Sequence, residues 1–214
     1  MAPPVLELFS LKNKIAIVTG ATGGIGVDVS VGLAEAGADI VSLERPNDSL
    51  APALRQAIEA TGRSIRSFEC DIRNPKSIQD AFTAIWQAGI IPDILVNIAG
   101  VTRHISVEDT RVEDISAVST RGTKASTKRP LIAFLQVLDI NFRGTYLAIQ
   151  EFGRELLRLQ RPGKIINYAS FAAILAQTNI SLYASSKGAV RTLTTAVSNE
   201  WAGRGITCNA ICPG

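Results

Sequence analysis

Six short apolar, β-branched runs recur along the chain, each followed by a stretch of helical period. No other feature constrains the fold as tightly. The runs are Lys14–Thr19, Asp39–Leu43, Ser64–Glu69, Asp93–Asn97, Lys164–Ala169 and Ile206–Ile211. Helix candidates lie between them, near Gly24–Ala36, Leu50–Ala60, Pro75–Gln87, Val137–Gln160 and Ser181–Gly203. Apolar strands separated by helices imply buried parallel strands joined by right-handed crossovers. The expectation is an α/β chain, a doubly wound parallel sheet with helices on both faces. At 214 residues it suits one domain, 1–214, with a sizeable core.

Composition closes off other classes. Hydrophobic residues make up 46%, so disorder is excluded, and the 17 Gly and 9 Pro follow no period, which excludes collagen. No apolar run is long enough to span a bilayer, so no membrane association is expected. The start, MAPPVLELFSLKNK, carries Glu7 among its apolar residues and lacks a basic beginning, unlike a secretory signal. Cys70, Cys208 and Cys212 cannot all pair, which favours a reducing, cytoplasmic setting. The net charge of +3 could suggest nucleic acid. However, Arg121, Lys124, Lys128 and Arg129 concentrate the basicity in residues 118–136, without acids or interleaved aromatic residues. No nucleic-acid partner is expected. The sole histidine, His104, either lines a pocket or sits in a surface loop, and Cys208 and Cys212 lack the company of a zinc site.

TGATGGIG, Thr19–Gly26, follows the first strand and opens the first helix. A pyrophosphate needs backbone amides at a helix N-terminus, with no side chains in the way. Gly20 makes the tight turn, Gly24 admits the phosphates, and Gly26 lets helix and strand pack closely. Thr22 and Ile25 belong to the same cofactor loop. Its spacing is GxxxGxG rather than GxGxxG. At the end of the second strand, Glu44 is placed to accept hydrogen bonds from the adenosine ribose hydroxyls and to repel a 2′-phosphate. Arg45 beside it would attract that phosphate. The cofactor expected is therefore NAD, with NADP the alternative.

Tyr183 and Lys187 stand four apart in YASSK, on one face of a helix. Free tyrosine loses its proton only near pH 10, and a neighbouring cation favours the phenolate. Ser170 closes the fifth strand thirteen residues before Tyr183, at a carboxyl end where this architecture binds ligands.

Together TGATGGIG, NIAG (Asn97–Gly100), Asn141, Ser170, YASSK and the final Pro213–Gly214 resemble the short-chain dehydrogenase/reductase family over nearly the whole chain. The resemblance implies a Rossmann-type sheet of order 3-2-1-4-5-6, with a seventh strand missing here. It implies that Tyr183 is the general acid/base and that Lys187 binds the nicotinamide ribose. Ser170 would hydrogen-bond the substrate oxygen, and Asn141 would orient a water that relays protons to Lys187. Asp71 and Ile72 match the adenine-contacting pair, while Asn97, Ala99 and Gly100 match the wall along the cofactor. Pro213 and Gly214 match cofactor-side positions too. Ile98 departs from the family, which usually has a second Asn there.

Within the family, GLAEAGADIV, FGRELLRLQRPGKIIN and SNEWAGRGITCNAICPG resemble sugar-acid enzymes such as 2-deoxy-D-gluconate 3-dehydrogenase and gluconate 5-dehydrogenase. The function implied is NAD(P)-dependent hydride transfer between nicotinamide and a secondary alcohol or ketone of a small molecule. A 3-oxoacyl-carrier-protein reductase and a nucleotide-binding protein without turnover are the alternatives. A homodimer or tetramer through the helices of Val137–Gln160 and Ser181–Gly203 is implied by the same resemblance.

Two features depart from that pattern. Gly100 and Asn141 lie 41 residues apart, more than the family spacing, and removing 118–136 restores a continuous amphipathic helix start. The segment reads as an in-frame retained intron, with a genuine loop insertion as the alternative, and it is expected to loop out of the sheet. The chain also ends at the carboxyl end of its sixth strand, where family members continue into a substrate loop and a seventh strand. Poor cofactor binding and little turnover are therefore expected of residues 1–214, with GITCNAIC left as an apolar, uncharged sheet edge.

Overall fold

A computed structural model describes residues 4–109 and 137–214. The 118–136 segment lies outside the described residues. The strands are β1 (Ile15–Thr19), β2 (Asp39–Glu44), β3 (Ile65–Glu69), β4 (Ile94–Asn97), β5 (Gly163–Tyr168) and β6 (Ile206–Ile211). The helices are α1 (Gly24–Glu35), α2 (Ala51–Ala60), α3 (Pro75–Gln87), α4 (Thr145–Arg158) and α5 (Ser181–Trp201). The strands form one sheet of order β3-β2-β1-β4-β5-β6. Every pairing is parallel. Among the described residues, no helix is long and apolar enough to cross a membrane.

Strand alternation divides the core in two, because successive side chains point to opposite faces. Ile17, Val41, Leu43, Leu95 and Ile165 face one way and pack with Phe82, Phe152 and Leu156 from α3 and α4. Ala16, Val18, Ile40 and Val96 face the other way and pack with Ala34 of α1 and with Leu54 and Ile58 of α2. The helices form where local signals agree with this burial. In α3, Asn74 caps the amides of Lys76 and Ser77, Pro75 occupies the first turn, and Ile78, Ala81, Phe82 and Ile85 make the buried stripe.

The expected boundaries hold to within a few residues, apart from one interior break. The helical run is α-helical over 137–138, π-helical over Asp139–Gly144 and α-helical again from Thr145. Within that turn the Thr145 hydroxyl donates to the carbonyl of Asn141 at 2.9 Å. Gly144 permits the turn to pack, since a Cβ there would come 2.6 Å from Ile72 Cγ1. Such bulges are frequent at functional sites.

Candidate functional site

At the carboxyl ends of β1, β2 and β4 the sheet opens into a groove of about 730 Å³. Its floor is the glycine loop. Gly20 adopts φ +67°, and a Cβ there would lie 2.8 Å from the Cα of Ala99. At Gly26 a Cβ would lie 2.0 Å from the Gly20 carbonyl oxygen, so helix and strand meet only because that atom is absent. Gly24 differs, since a Cβ built on it meets nothing within 4 Å, and the space it leaves free belongs to the groove. Among the described residues, no side chain caps the start of α1. The first-turn amides of Gly24, Ile25 and Gly26 therefore remain for an anion. A bare glycine floor under uncapped amides fits a dinucleotide pyrophosphate.

Thr19 ties this floor to the opposite wall. Its buried Oγ1 accepts from the amides of Ile98 (3.1 Å) and Ala99 (3.2 Å). Thr22, Ile25, Asp71, Ile72, Ala99 and Gly100 all line the groove, as the sequence suggests. Asn97 is placed differently. It is 3% exposed and lies beneath the wall, where its Nδ2 donates to Asn167 Oδ1 at 2.9 Å. Asn167 in turn donates to Thr194 Oγ1, so the pair pins β4 to β5 and β5 to α5.

Glu44 also departs from expectation. It closes β2, but it is 8% exposed, does not line the groove, and accepts the Ser67 hydroxyl at 2.7 Å. The residue pattern of β2 explains the difference. Leu43 and Glu44 point to opposite faces, and the groove takes Leu43 together with Arg45 and Asp48 from the following loop. Cys70, a groove residue the sequence did not single out, is buried, which pushes its thiol up to about 12.

Beyond Gly100 and Val101, three distant segments converge. Asn141, fully buried, accepts from the Val101 amide at 2.8 Å through Oδ1 and donates back to the Val101 carbonyl at 2.9 Å through Nδ2. The same Nδ2 donates to Ser186 Oγ at 3.0 Å, and Ser186 donates to the Tyr183 carbonyl at 2.7 Å. A carbonyl only accepts, so the serine proton is committed and its lone pair faces Asn141. This fixes which way the carboxamide points. Sequence reasoning missed Ser186, because its spacing from Tyr183 marks only a helix-internal bond.

Lys187 Nζ donates to the Tyr168 carbonyl at 2.6 Å and lies 5.9 Å from the centre of the Tyr183 ring. Burial pulls its ammonium down to about 8. A Cβ built on Gly100 would sit 3.3 Å from both Asn141 Oδ1 and Lys187 Nζ, so the glycine lets all three crowd together. Ser170 follows β5, and its Oγ accepts from the Ala172 amide at 3.1 Å. Pro213 reaches this region through its carbonyl, which accepts the Phe171 amide at 2.8 Å, whereas neither Pro213 nor Gly214 lines the groove. His104 is exposed in the loop after β4. Cys208 packs in the core and Cys212 is half-buried, and no metal cluster forms among the described residues.

The short chain dehydrogenase family matches residues 14–214. A 2-dehydro-3-deoxy-D-gluconate 5-dehydrogenase from Pseudoalteromonas atlantica is 33% identical over 98% of this chain and 75% of its own length. The enzyme of that name from Bacillus subtilis is 35% identical over 97% of this chain and 73% of its own. A gluconate 5-dehydrogenase from Burkholderia cenocepacia, solved with NADP and tartrate, superposes with a TM-score of 0.83 at 29% identity. That superposition covers 99% of this chain and 74% of the neighbour. Sheet order, glycine loop and family match converge, and the chain belongs to the short-chain dehydrogenase/reductase family.

Proposed function

We propose that the chain transfers a hydride between NAD or NADP and a secondary alcohol or ketone, with a small sugar acid as substrate class. The observation that carries this reading is the convergence of Asn141 and Lys187 on Gly100, at the end of a groove floored by bare glycines. Tyr183 stands one helical turn before Lys187, with its ring facing the ammonium. A bound dinucleotide supplies the hydride donor or acceptor.

The chain's own residues bind and move the proton. The glycine loop, with Thr22 and Ile25, holds the pyrophosphate, and Asp71 and Ile72 take the adenine. Ala99 and Gly100, with Pro213 and Gly214, border the nicotinamide end. Tyr183 exchanges a proton with the substrate oxygen, and Ser170, which keeps a hydroxyl proton to donate, orients that oxygen. Lys187 holds the nicotinamide ribose, and Asn141 orients a water toward Lys187. The sugar-acid class rests on the names of the two curated relatives and of the superposed gluconate enzyme. Pairing of two copies through α4 and α5 belongs to the same reading.

Fluorescence titration with NADH and NADPH, followed by turnover assays on sugar acids and polyols, tests this function. In a version extended by a homologous C-terminal segment, Tyr183→Phe is expected to abolish turnover while holding dinucleotide affinity within about threefold. Equal turnover by the variant rejects the assignment, and an extended chain that binds dinucleotide but oxidises no alcohol is a nucleotide binder instead.

A further inference from the structure

Beside the groove, at the end of β2, lies a polar hollow of about 430 Å³ lined by Arg45, Asn47, Asp48, Ser49, Asp71 and Arg73. Arg45, Asp48, Asp71 and Arg73 line the main groove as well, so the two spaces are continuous. Two guanidinium groups would suit a phosphate, but each is already matched. Arg73 grips Asp71 through Nε at 2.9 Å and Nη2 at 2.6 Å. Arg45 Nη2 lies 3.7 Å from Asp48 Oδ2.

Asp48 is not a loose surface acid. Its side chain is 3% exposed. Oδ1 accepts the Leu50 amide at 3.1 Å, and Oδ2 accepts the Thr22 hydroxyl at 2.9 Å. That last bond latches the β2–α2 loop onto the glycine loop. The Leu50 amide, helped by Thr22 and Arg45, holds the carboxyl below the usual carboxylate range, so it is charged at neutral pH. Glu44, by contrast, is engaged with Ser67 and lines neither space.

We propose that Asp48, rather than Glu44, sets this chain's choice between NAD and NADP. A dinucleotide with its pyrophosphate at the start of α1 has its adenosine ribose between the glycine loop and the end of β2. Asp48 bridges that interval through Thr22. Its fixed negative charge opposes a 2′-phosphate there, and it occupies Arg45, the cation that would otherwise receive one. The inference rests on the reading that the groove binds a dinucleotide.

Titrations with NADH and NADPH on residues 1–214, Asp48→Asn and Glu44→Gln test it. Asparagine keeps an acceptor for the Leu50 amide and can donate its Nδ2–H to the Thr22 oxygen, so the charge is removed while the loop contact survives with that bond reversed. The unmodified chain is expected to favour NADH. Asp48→Asn should move the ratio of dissociation constants toward NADPH by about tenfold, and Glu44→Gln by less than about threefold. Adding Arg45→Ala to Asp48→Asn should remove the gain. If Asp48→Asn fails to fold, Asp48→Ser gives the same readout. A larger shift from Glu44→Gln, or an unmoved ratio in both Asp48 variants, overturns the inference alone. Failure of the unmodified chain to bind either dinucleotide overturns the functional reading, and this inference with it.

Discussion

At the glycine loop the groove takes its shape from missing atoms, whereas at its far end it takes its shape from side chains that hold one another. Gly20 and Gly26 touch backbone across distances no Cβ tolerates, and they need no partner chemistry to do so. Asn141 and Ser186 depend on bonds between segments 40 or more residues apart, and Lys187 on one that reaches Tyr168, 19 residues away on β5. The first region is therefore specified by eight consecutive residues and one backbone approach to Ala99, and the second by agreement among the side chains of three segments. The two should fail in different ways when altered.

The largest effect is expected at the loop. Gly26→Ala places a methyl 2.0 Å from the Gly20 carbonyl, so α1 must move away from β1. Overpacking of this kind costs about 3 kcal/mol or more of stability and should also abolish dinucleotide binding. Urea denaturation and NADH titration would show both losses, and a stable variant that binds normally would contradict the close approach.

At the other end, Asn141→Ala strands the Val101 amide and carbonyl and removes the partner of Ser186. Unpaired buried polar groups cost about 1–3 kcal/mol each, less whatever water recovers. A stability loss of about 2–4 kcal/mol is expected by urea denaturation. Ser186→Ala should cost less, about 1 kcal/mol, and Ser186→Thr should restore most of it.

Lys187 gives a pH test of the same region. Its ammonium sits at about 8 in the fold against 10.5 when free, so above pH 8 the unfolded chain holds more protons than the folded one. Lys187 by itself makes stability rise with pH, by about 1 kcal/mol between pH 8 and 9. Burial pushes the Cys70 and Cys208 thiols up to about 12 and 11 from 9.0, so the unfolded chain loses thiol protons first, which offsets most of that rise and turns it into a fall above about pH 9. Lys187→Met should replace the small rise with a fall that begins near pH 8, as denaturation across pH 7–11 would show.

The smallest effect on stability, with a disproportionate effect on binding, is expected at Gly24. A methyl there meets nothing within 4 Å among the described residues. Gly24→Ala should leave stability unchanged or raise it by up to about 1 kcal/mol, since alanine favours the helix. It should nevertheless weaken dinucleotide binding, because the methyl enters the space left for phosphate. Thermal denaturation and NADH titration on one sample would separate the two, and unimpaired binding would remove Gly24 from the cofactor floor.

The sequence by itself determined what depends on local pattern and on glycine. The alternation of apolar runs and helical periods marked all six strands, and with them the parallel sheet. The TGATGGIG spacing placed the loop between β1 and α1 because strand, turn and helix are adjacent in the chain. The tertiary structure alone decided which side chains meet. Glu44 stands at the expected strand end, yet the sheet face it belongs to directs it to Ser67, while Asp48, four residues later in a loop, reaches Thr22. Asn97 carries a cofactor-wall motif but is committed to Asn167 on the next strand. Ser186 owes its role to Asn141 arriving on a π-turn that no residue pattern announced. A side chain's partners depend on register, face and loop path together, and periodicity along one segment carries none of these for its neighbours.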